Sequence, residues 1–309
     1  MPLITLQEDR LRASIDPNLG AGLADFSLAG PGKWWYPLMR RAAGDETNPS
    51  GLASFLLAPY SNRIAGAAFM FQGQKIQLKP TTPDGLTQHG DVRSRPFTIL
   101  DRSPLSARLR LDSREHTGVN WPWPFACEVR YELSAESLTI DLSVTNLGDT
   151  PMPAGCGHHP YFPRRLIDDR DTLHLKAPVR TRYPLHNGLP TGPGADDPIV
   201  AHLAELRPIR PGHFDGVLGG FGGAAELFWD RSHVRLTMTA SPNMGHLVLF
   251  TPHDPPTSDR VLPYIAVEPV TNVNDGFNRL ASGEPGTGVV VLEPGATLAT
   301  TLTLTVRAG

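Results

Sequence analysis

Two short segments carry a histidine and a glutamate in a setting suited to proton transfer. In residues 155–162 His159 precedes Pro160, and in residues 264–271 Glu268 precedes Pro269. Proline fixes its own φ and pushes the preceding residue toward extended geometry, so both side chains should project from stiff strand backbones. A general acid or base works only when its heavy atom is within hydrogen-bond reach of the moving proton. The pair therefore indicates an enzyme.

The rest of the chain is typical of the strands that would position such a pair. Apolar and polar residues alternate with a period of two at 138–145 and 300–306, as in half-buried strands. The 31 prolines and 30 glycines are spread along the chain and interrupt most runs long enough for a helix. Further short strands are predicted at 107–111, 127–133, 234–238, 246–250 and 264–267. The pattern predicts an all-β fold, a large antiparallel β-sandwich with few short helices.

The domain organisation follows from length and composition. A chain of 309 residues suggests about two domains, but β-sandwiches often exceed about 200 residues as one unit. Residues 183–198 are rich in proline and glycine and could link two domains. Similar strand patterns flank them without a shift in composition, so we interpret them as a long surface loop and predict a single domain over residues 1–309.

Composition and charge narrow the class of partner. The formal net charge of −3 supplies no basic surface for nucleic acid or anionic lipid, and no stretch approaches the length of a membrane span. The N-terminal residues lack the features of a signal peptide, and the two cysteines, Cys127 and Cys156, are no disulfide framework. We therefore expect a cytoplasmic protein that acts on a small molecule, with its oligomeric state left open.

Several other polar or aromatic residues are ambiguous by themselves. Cys156 lies beside two histidines, so a thiolate nucleophile is one interpretation, although free cysteine is more often a small buried residue. Arg63 alone is interpreted as a surface residue, and Asp215, which precedes a glycine, as a turn residue. Trp121 and Trp123 could form a sugar-stacking platform, but the core is the favoured interpretation.

Taken in order, several short motifs resemble the aldose 1-epimerase (galactose mutarotase) family over most of the chain. The matching motifs are Asn62-Arg63-Ile64 followed by Gly66, His89-Gly90, His159-Pro160-Tyr161-Phe162, Leu189-Pro190-Thr191-Gly192, Phe214-Asp215, and Glu268-Pro269 with Asn278 behind it. Each motif is weak alone, but their order on an all-β pattern is specific. The resemblance implies a β-supersandwich with a sugar cleft on one face and a catalyst without metal or organic cofactor.

The resemblance also implies roles for these residues. Glu268 matches the family's general base and His159 its general acid, in a reaction that interconverts the anomers of an aldose by opening and closing the ring. His89 matches a second histidine that assists at the sugar ring. The residues matched to substrate binding are Asn62, Arg63 and Asp215. Unperturbed pKa values of about 4.3 for Glu and about 6.5 for His then require the pKa of His159 to shift modestly upward.

One motif departs from the best-studied members of that family. Here two adjacent histidines, His158 and His159, precede the proline. Successive residues of a strand point to opposite faces, so His158 should face away from the cleft and be dispensable for catalysis. The departure leaves the identity of the sugar open.

Three alternatives remain. A hexose 6-phosphate could be the substrate, although the mixed donors and acceptors of the matched residues favour a neutral aldose. The arginines that could bind its phosphate flank the histidine segments: Arg93, Arg95, Arg164 and Arg165. A metal could be held by His89, His159 and Glu268, the two-histidine, one-carboxylate set of non-haem iron enzymes. A non-catalytic carbohydrate-binding protein would use the same cleft and move no proton.

Overall fold

Most of the chain is organised into strands. A computed structural model describes residues 1–30, 32, 34–209, 212–254 and 258–308. Within these ranges the strands, numbered along the chain, form two large antiparallel sheets and several two-stranded ribbons. The prediction of an all-β fold is confirmed.

The first sheet carries the histidine and glutamate segments on adjacent strands near its centre. β4 (Trp35–Pro37) pairs with one of its strands, β3 (Gly22–Ala29). The other strands lie side by side in the order β1 (Ile4–Glu8), β2 (Leu11–Asp16), β3 (Gly22–Ala29), β5 (Ser54–Leu57), β15 (Gly157–Pro163), β25 (Tyr264–Val270), β24 (His246–Thr251), β21 (Phe214–Gly219) and β17 (Thr181–Arg182).

The second sheet contains the strands with the clearest alternation. Its order is β10 (Thr98–Arg102), β11 (Ser106–Asp112), β12 (Phe125–Leu133), β13 (Ser137–Asn146), β27 (Thr297–Ala308), β23 (Val234–Ala240), β22 (Ala224–Trp229), β16 (Leu173–Lys176) and β20 (Arg207–Pro208). Each strand predicted from the alternation lies within one of the strands of the two sheets. The main core joins both sheets, with Phe26 from the first and Ile140 and Leu304 from the second. This packing of two sheets face to face makes the sandwich.

Short ribbons and helices complete the described part of the chain. The ribbons are β6 (Arg63–Ile64) with β9 (Thr87–Gln88), β7 (Ala68–Phe71) with β8 (Gln74–Gln77), β14 (Met152–Ala154) with β26 (Val290–Leu292), and β18 (Leu185–His186) with β19 (Leu189–Pro190). The helices are α1 (Pro198–Leu203) and α2 (Gly276–Ala281), with 3-10 turns at Pro49–Gly51, Ala65–Ala67, Val92–Ser94 and Ser113–Glu115. Neither described α-helix is long and apolar enough to cross a membrane.

The first sheet is buried on both faces at its centre. In β25, Ile265 and Val267 belong to the core between the sheets, whereas Ala266 belongs to a second apolar cluster on the opposite face. Phe55 and Tyr161, on neighbouring strands, belong to the same second cluster. Because side chains alternate between faces along a strand, this second cluster defines the face on which His159 and Glu268 stand.

Candidate active site

His159 and Glu268 face each other across two neighbouring strands. β15 and β25 pair antiparallel, with Tyr161 opposite Ala266. His159 lies two residues before Tyr161, and Glu268 lies two residues after Ala266. The same register therefore places His159 opposite Glu268. Directly opposed residues of antiparallel strands have close side chains. Nε2 of His159 lies 3.2 Å from Oε1 of Glu268, and both side chains are buried. The two strand positions that precede prolines therefore bring the histidine and glutamate side chains into contact.

A cavity of ≈ 180 Å³ opens above this pair. Its floor is a row of successive cross-strand partners that runs from Phe55 through His159 and Glu268 to Val248. The complete lining is Ser50, Phe55, Asn62, Arg63, Gln88, His89, His159, Tyr161, Asp215, Val248, Phe250 and Glu268. The structure thus brings together all the residues that the sequence assigned to catalysis or substrate binding.

His89 and Asn62 enter the cavity from left-handed backbone positions. Their φ values are 64° and 55°, and the backbone N–H of His89 donates to the carbonyl of Asn62 over 2.8 Å. Gly90 follows at φ 70°, where an added Cβ would stand 2.0 Å from the carbonyl oxygen of Ala58, so only glycine fits this close approach. Positive φ at a non-glycine residue is uncommon and is retained where function requires it. The tight turn aims the His89 ring at the cavity, with its centroid 5.3 Å from that of His159.

Arg63 lies in the cavity and not on the open surface. Its Nη2 is 3.5 Å from Oδ2 of Asp215, and its side chain is 24% exposed. The β18–β19 ribbon packs beside it, because a Cβ on Gly188 would stand 2.7 Å from Nη1 of Arg63. The interpretation of Arg63 as a surface residue, made from its local sequence alone, is wrong because residues distant in sequence enclose its guanidinium.

The segment after Glu268 fixes the loop that carries Asn62 and Arg63. The side chain of Asn272 accepts a hydrogen bond from the backbone N–H of Ser61 and donates to its carbonyl, at 3.0 and 3.2 Å. Asp275 accepts from the backbone N–H of Ala65 at 2.9 Å and from Nδ2 of Asn278 at 2.7 Å. Asn278 was part of the matched motif, but Asn272 and Asp275 were missed, although polar residues directly after a buried strand could have signalled them.

Two aromatic residues of the cavity were also missed. The ring of Phe55 stacks on that of His159 with centroids 4.4 Å apart, and the ring of Tyr161 lies 4.6 Å from it on the next outward-facing position of β15. Tyr161 lies within a motif that matches the family, and this match could have indicated its place in the site. Nothing around Phe55 in the sequence distinguishes it from a core residue. Together they exclude water from the imidazole and fix its orientation.

Burial dominates the electrostatics of the pair. Desolvation lowers the pKa of His159 to about 3, and the positive charges of Arg93, Arg40 and Arg63 contribute in the same direction. Desolvation also raises the pKa of Glu268 well above its ordinary value, with a further contribution from the negative charge of Asp215. The modest upward shift expected for the pKa of His159 is therefore wrong, because a buried cation is penalised before any partner acts. Burial thus favours the uncharged form of both groups.

Burial also favours the uncharged form of His89. Its pKa lies well below the ordinary value, because the ring is buried and stands near His159, Arg93 and Arg63. A neutral imidazole donates one hydrogen bond and accepts another. His89 can therefore bridge two polar groups of a ligand in the cavity without adding charge.

His158 and Cys156 lie outside the cavity. His158 pairs across β15 and β5 with Leu56, which belongs to the core between the sheets, so its side chain faces that core as expected. The Cys156 thiol is buried 3.7 Å from the hydroxyl of Thr300, and desolvation raises its pKa to about 12. The structure supports the interpretation of Cys156 as a small buried residue, since the reactive thiolate is disfavoured there.

The arginines after His89 have different environments. Arg95 is held by two hydrogen bonds to the Asp91 carboxylate and by a third to the carbonyl of Thr117. The Arg93 guanidinium lies 5.4 Å from the centroid of the Phe55 ring, and burial lowers its pKa. Arg95 is therefore engaged within the protein, whereas Arg93 stands close to the cavity.

Trp121 belongs to the core, as favoured from sequence. It is 4% exposed, and its ring stacks on Phe69 with centroids 5.5 Å apart. Trp123 packs on the same aromatic group, 5.5 Å from Trp121. Neither indole lines the cavity.

Several buried polar atoms around the cavity lack a hydrogen-bond partner within the described part of the chain. They are Nδ1 of His89, Nδ1 of His159 and Oε2 of Glu268. Buried polar atoms are nearly always paired, so atoms left free in a cavity are ready for the polar groups of a ligand. Among the residues that the structure describes, no three His, Cys, Asp or Glu side chains are grouped so as to hold a metal ion.

Sequence and structure comparisons place this arrangement among known proteins. Residues 2–305 match the family model for Aldose 1-epimerase. The uncharacterized Escherichia coli (strain K12) protein YphB is 24% identical over 275 residues, which cover 88% of this chain and 89% of that protein. The crystal structure of a candidate aldose 1-epimerase from Escherichia coli K12 matches with a TM-score of 0.85 at 22% identity, over 100% of this chain and 99% of that one. A galactose mutarotase-like protein from Clostridium acetobutylicum matches with a TM-score of 0.86 at 17% identity, over 99% and 95% of the two chains. At identities of 22% and 17%, these structural matches show that the chain shares the fold of the two proteins.

Proposed function

Because the chain belongs to the aldose 1-epimerase family, we propose that it is an isomerase that interconverts the α and β anomers of an aldose by opening and closing the sugar ring. The observation that carries the proposal is the contact between His159 and Glu268, 3.2 Å apart in the lining of a cavity that also holds unpaired polar atoms. Proton transfer at an acetal carbon needs one acid and one base near the same carbon.

The proposed mechanism uses the proton that the pair shares. Transfer of this proton from Glu268 to His159 across their 3.2 Å contact gives a carboxylate and an imidazolium without changing the net charge of the site. Glu268 then takes the proton of the C1 hydroxyl while His159 protonates the ring oxygen, and the C1–O bond of the ring breaks. The open sugar rotates about C1–C2, and the two groups exchange roles as the ring closes.

The proposed acid and base lie on the same side of the reacting carbon, because they contact each other from adjacent strands. The hydroxyl oxygen and the ring oxygen are both bonded to C1, so two groups 3.2 Å apart can each reach one of them. The proposal keeps both roles and places C1 above the contact between the two side chains.

The remaining polar residues suit hydroxyl binding. Arg63 supplies donors and Asp215 supplies acceptors at one end of the cavity, and Asn62 offers both kinds of group. His89, next to the His159 ring, is placed to assist at the sugar ring. We propose a neutral aldose as substrate, because the ion pair of Arg63 with Asp215 leaves no bare positive charge at that end for a dianion.

Nuclear magnetic resonance of anomer exchange tests this proposal directly. Freshly dissolved α-anomers of neutral aldoses are mixed with the protein, and the approach to anomeric equilibrium is compared with that in buffer. Acceleration with glucose or galactose supports the proposal, whereas binding without acceleration for every sugar of the panel supports a non-catalytic carbohydrate-binding protein. The 6-phosphates form a second arm, because Arg93 lies near the cavity. Preference for a 6-phosphate that Arg93→Ala abolishes would identify a phosphosugar epimerase.

A further inference from the structure

A second cavity adjoins the proposed active site and has a different character. It measures ≈ 480 Å³, within the size range of small-molecule sites. Its described lining is Pro37, Arg40, Arg41, Pro163, Arg164, Arg165, Val261, Leu262, Pro263 and Tyr264. We call it the basic cavity, because these ten residues include four arginines and no carboxylate.

Three of the four arginines have no acidic partner among the described residues. Arg41 contacts Asp25, with Nε 3.0 Å from Oδ1. Arg40, Arg164 and Arg165 make no ion pair within 4.0 Å anywhere in the described ranges. Arginine stays protonated in proteins, so three like charges converge here without compensation.

Two of these guanidinium groups are also short of hydrogen-bond acceptors. Arg164 donates from Nε to the carbonyl of Leu262 at 3.1 Å, but its Nη2 is buried without a partner in the described structure. Arg40 donates from Nη2 to the carbonyls of Ser50 and Leu52, and its Nε is likewise buried without a partner. Unpaired buried donors on a cation carry a large desolvation penalty, which an anionic acceptor removes.

Arg40 connects the basic cavity with the proposed active site. Its guanidinium lies 3.8 Å from the ring centroid of Tyr161, which lines the catalytic cavity, and 4.5 Å from that of Tyr264, which lines the basic one. The two tyrosine rings are 5.3 Å apart. The two cavities are thus neighbours that share one stack of side chains.

From these contacts we propose that the basic cavity is a second ligand site, which binds the phosphate or carboxylate group of a small organic molecule. The arginines bind the anionic group, and three prolines and Tyr264 provide apolar walls for the rest of the molecule. The site stands on its own contacts and does not depend on the epimerase activity. The anionic molecule is either free or attached to the sugar that occupies the neighbouring cavity.

Titration calorimetry with inorganic phosphate on the intact protein tests the site. Arg164→Gln and Arg165→Gln should each weaken phosphate binding by about tenfold, because each removes a charge-assisted hydrogen bond. Arg165 is exposed, so its variant folds even if the partly buried Arg164 proves structural. Arg207→Gln is the matched control, since Arg207 pairs with Glu205 on the other sheet and should leave binding unchanged.

Two further arms distinguish the sources of the anion. If the anion is free, phosphate binds equally well when a neutral aldose is present. If it belongs to the substrate, a phosphorylated sugar binds more tightly than either part alone, and Arg165→Gln removes that gain. Either result supports the basic cavity. Absence of phosphate binding, or binding that both arginine variants leave intact, overturns it, whatever the outcome of the anomer-exchange assay.

Discussion

The contact between His159 and Glu268 predicts how the two side chains share the catalytic work. Glu268→Gln and His159→Asn each keep a polar side chain of similar size while preventing proton transfer. Each should lower kcat by about 10²–10⁴-fold, the usual contribution of one general acid or base. Sugar binding should change little, because Asn62, Arg63 and Asp215 lie on other strands and loops.

A variant that combines Glu268→Gln with His159→Asn tests whether the two groups act together. His159 Nε2 and Glu268 Oε1 are 3.2 Å apart, and in the proposed mechanism one proton serves both groups, so neither works without the other. The variant lacking both should therefore be about as slow as the slower single variant, whereas independent groups would give about 10⁴–10⁸-fold, the product of the single effects.

Exchange spectroscopy between the anomer signals measures these rates, and the dependence on sugar concentration separates kcat from KM. The matched control is His158→Asn, the same substitution one residue earlier but on the core face of the strand, which should keep the wild-type kcat. Wild-type rates in either single variant, or additive losses in the double variant, would refute the shared-proton mechanism. A His158 variant as inactive as the His159 variant would show that the wrong histidine was assigned.

Three further predictions concern substrate binding, metal dependence and the pH dependence of stability. Arg63→Gln should raise KM more than it lowers kcat, because the role proposed for Arg63 is to hold hydroxyls that persist throughout the reaction; a fall in kcat alone would contradict this role. Removal of divalent ions by a chelator should leave the anomerisation rate unchanged, and activity restored by one divalent ion would favour the metal alternative. The pKa of His158 is about 3 in the folded protein, so below pH 6.5 the unfolded chain binds the proton first and stability falls by up to ~1.4 kcal/mol per pH unit. The free energy of unfolding of His158→Asn, measured by denaturant titration between pH 6.5 and pH 4, should depend less steeply on pH than that of the wild type. An identical pH dependence would contradict the buried neutral state.

The sequence predicted the strands whose two faces differ. In β13 and β27 one face meets the core and the other stays half-exposed, so alternation appears directly in the residues. The central strands of the first sheet are buried on both faces, and β25 reads as a nearly continuous apolar run interrupted by Glu268. Periodicity cannot assign faces in such a strand, and the proline after Glu268 was the remaining local clue.

Two properties of the site could not be predicted from local sequence. The enclosure of Arg63 depends on Asp215 and on the turn at Gly188, both far along the chain. The pKa of His159 depends on how completely the ring is desolvated, and the stacking of Phe55 on that ring has no sequence signal. In both cases the deciding contacts form only when distant strands assemble.

The unpaired buried atoms of the site cost the fold free energy that a bound ligand can recover. Oε2 of Glu268 and Nδ1 of both His89 and His159 are buried without partners among the described residues, and each such atom costs about 1–3 kcal/mol. The core between the sheets, which packs on the opposite face of the same strands, supplies the stability that tolerates this cost. A sugar that pairs these atoms recovers the free energy on binding. Because all three atoms belong to residues that line one cavity, that recovery is largest for a ligand whose polar groups reach all of them at once.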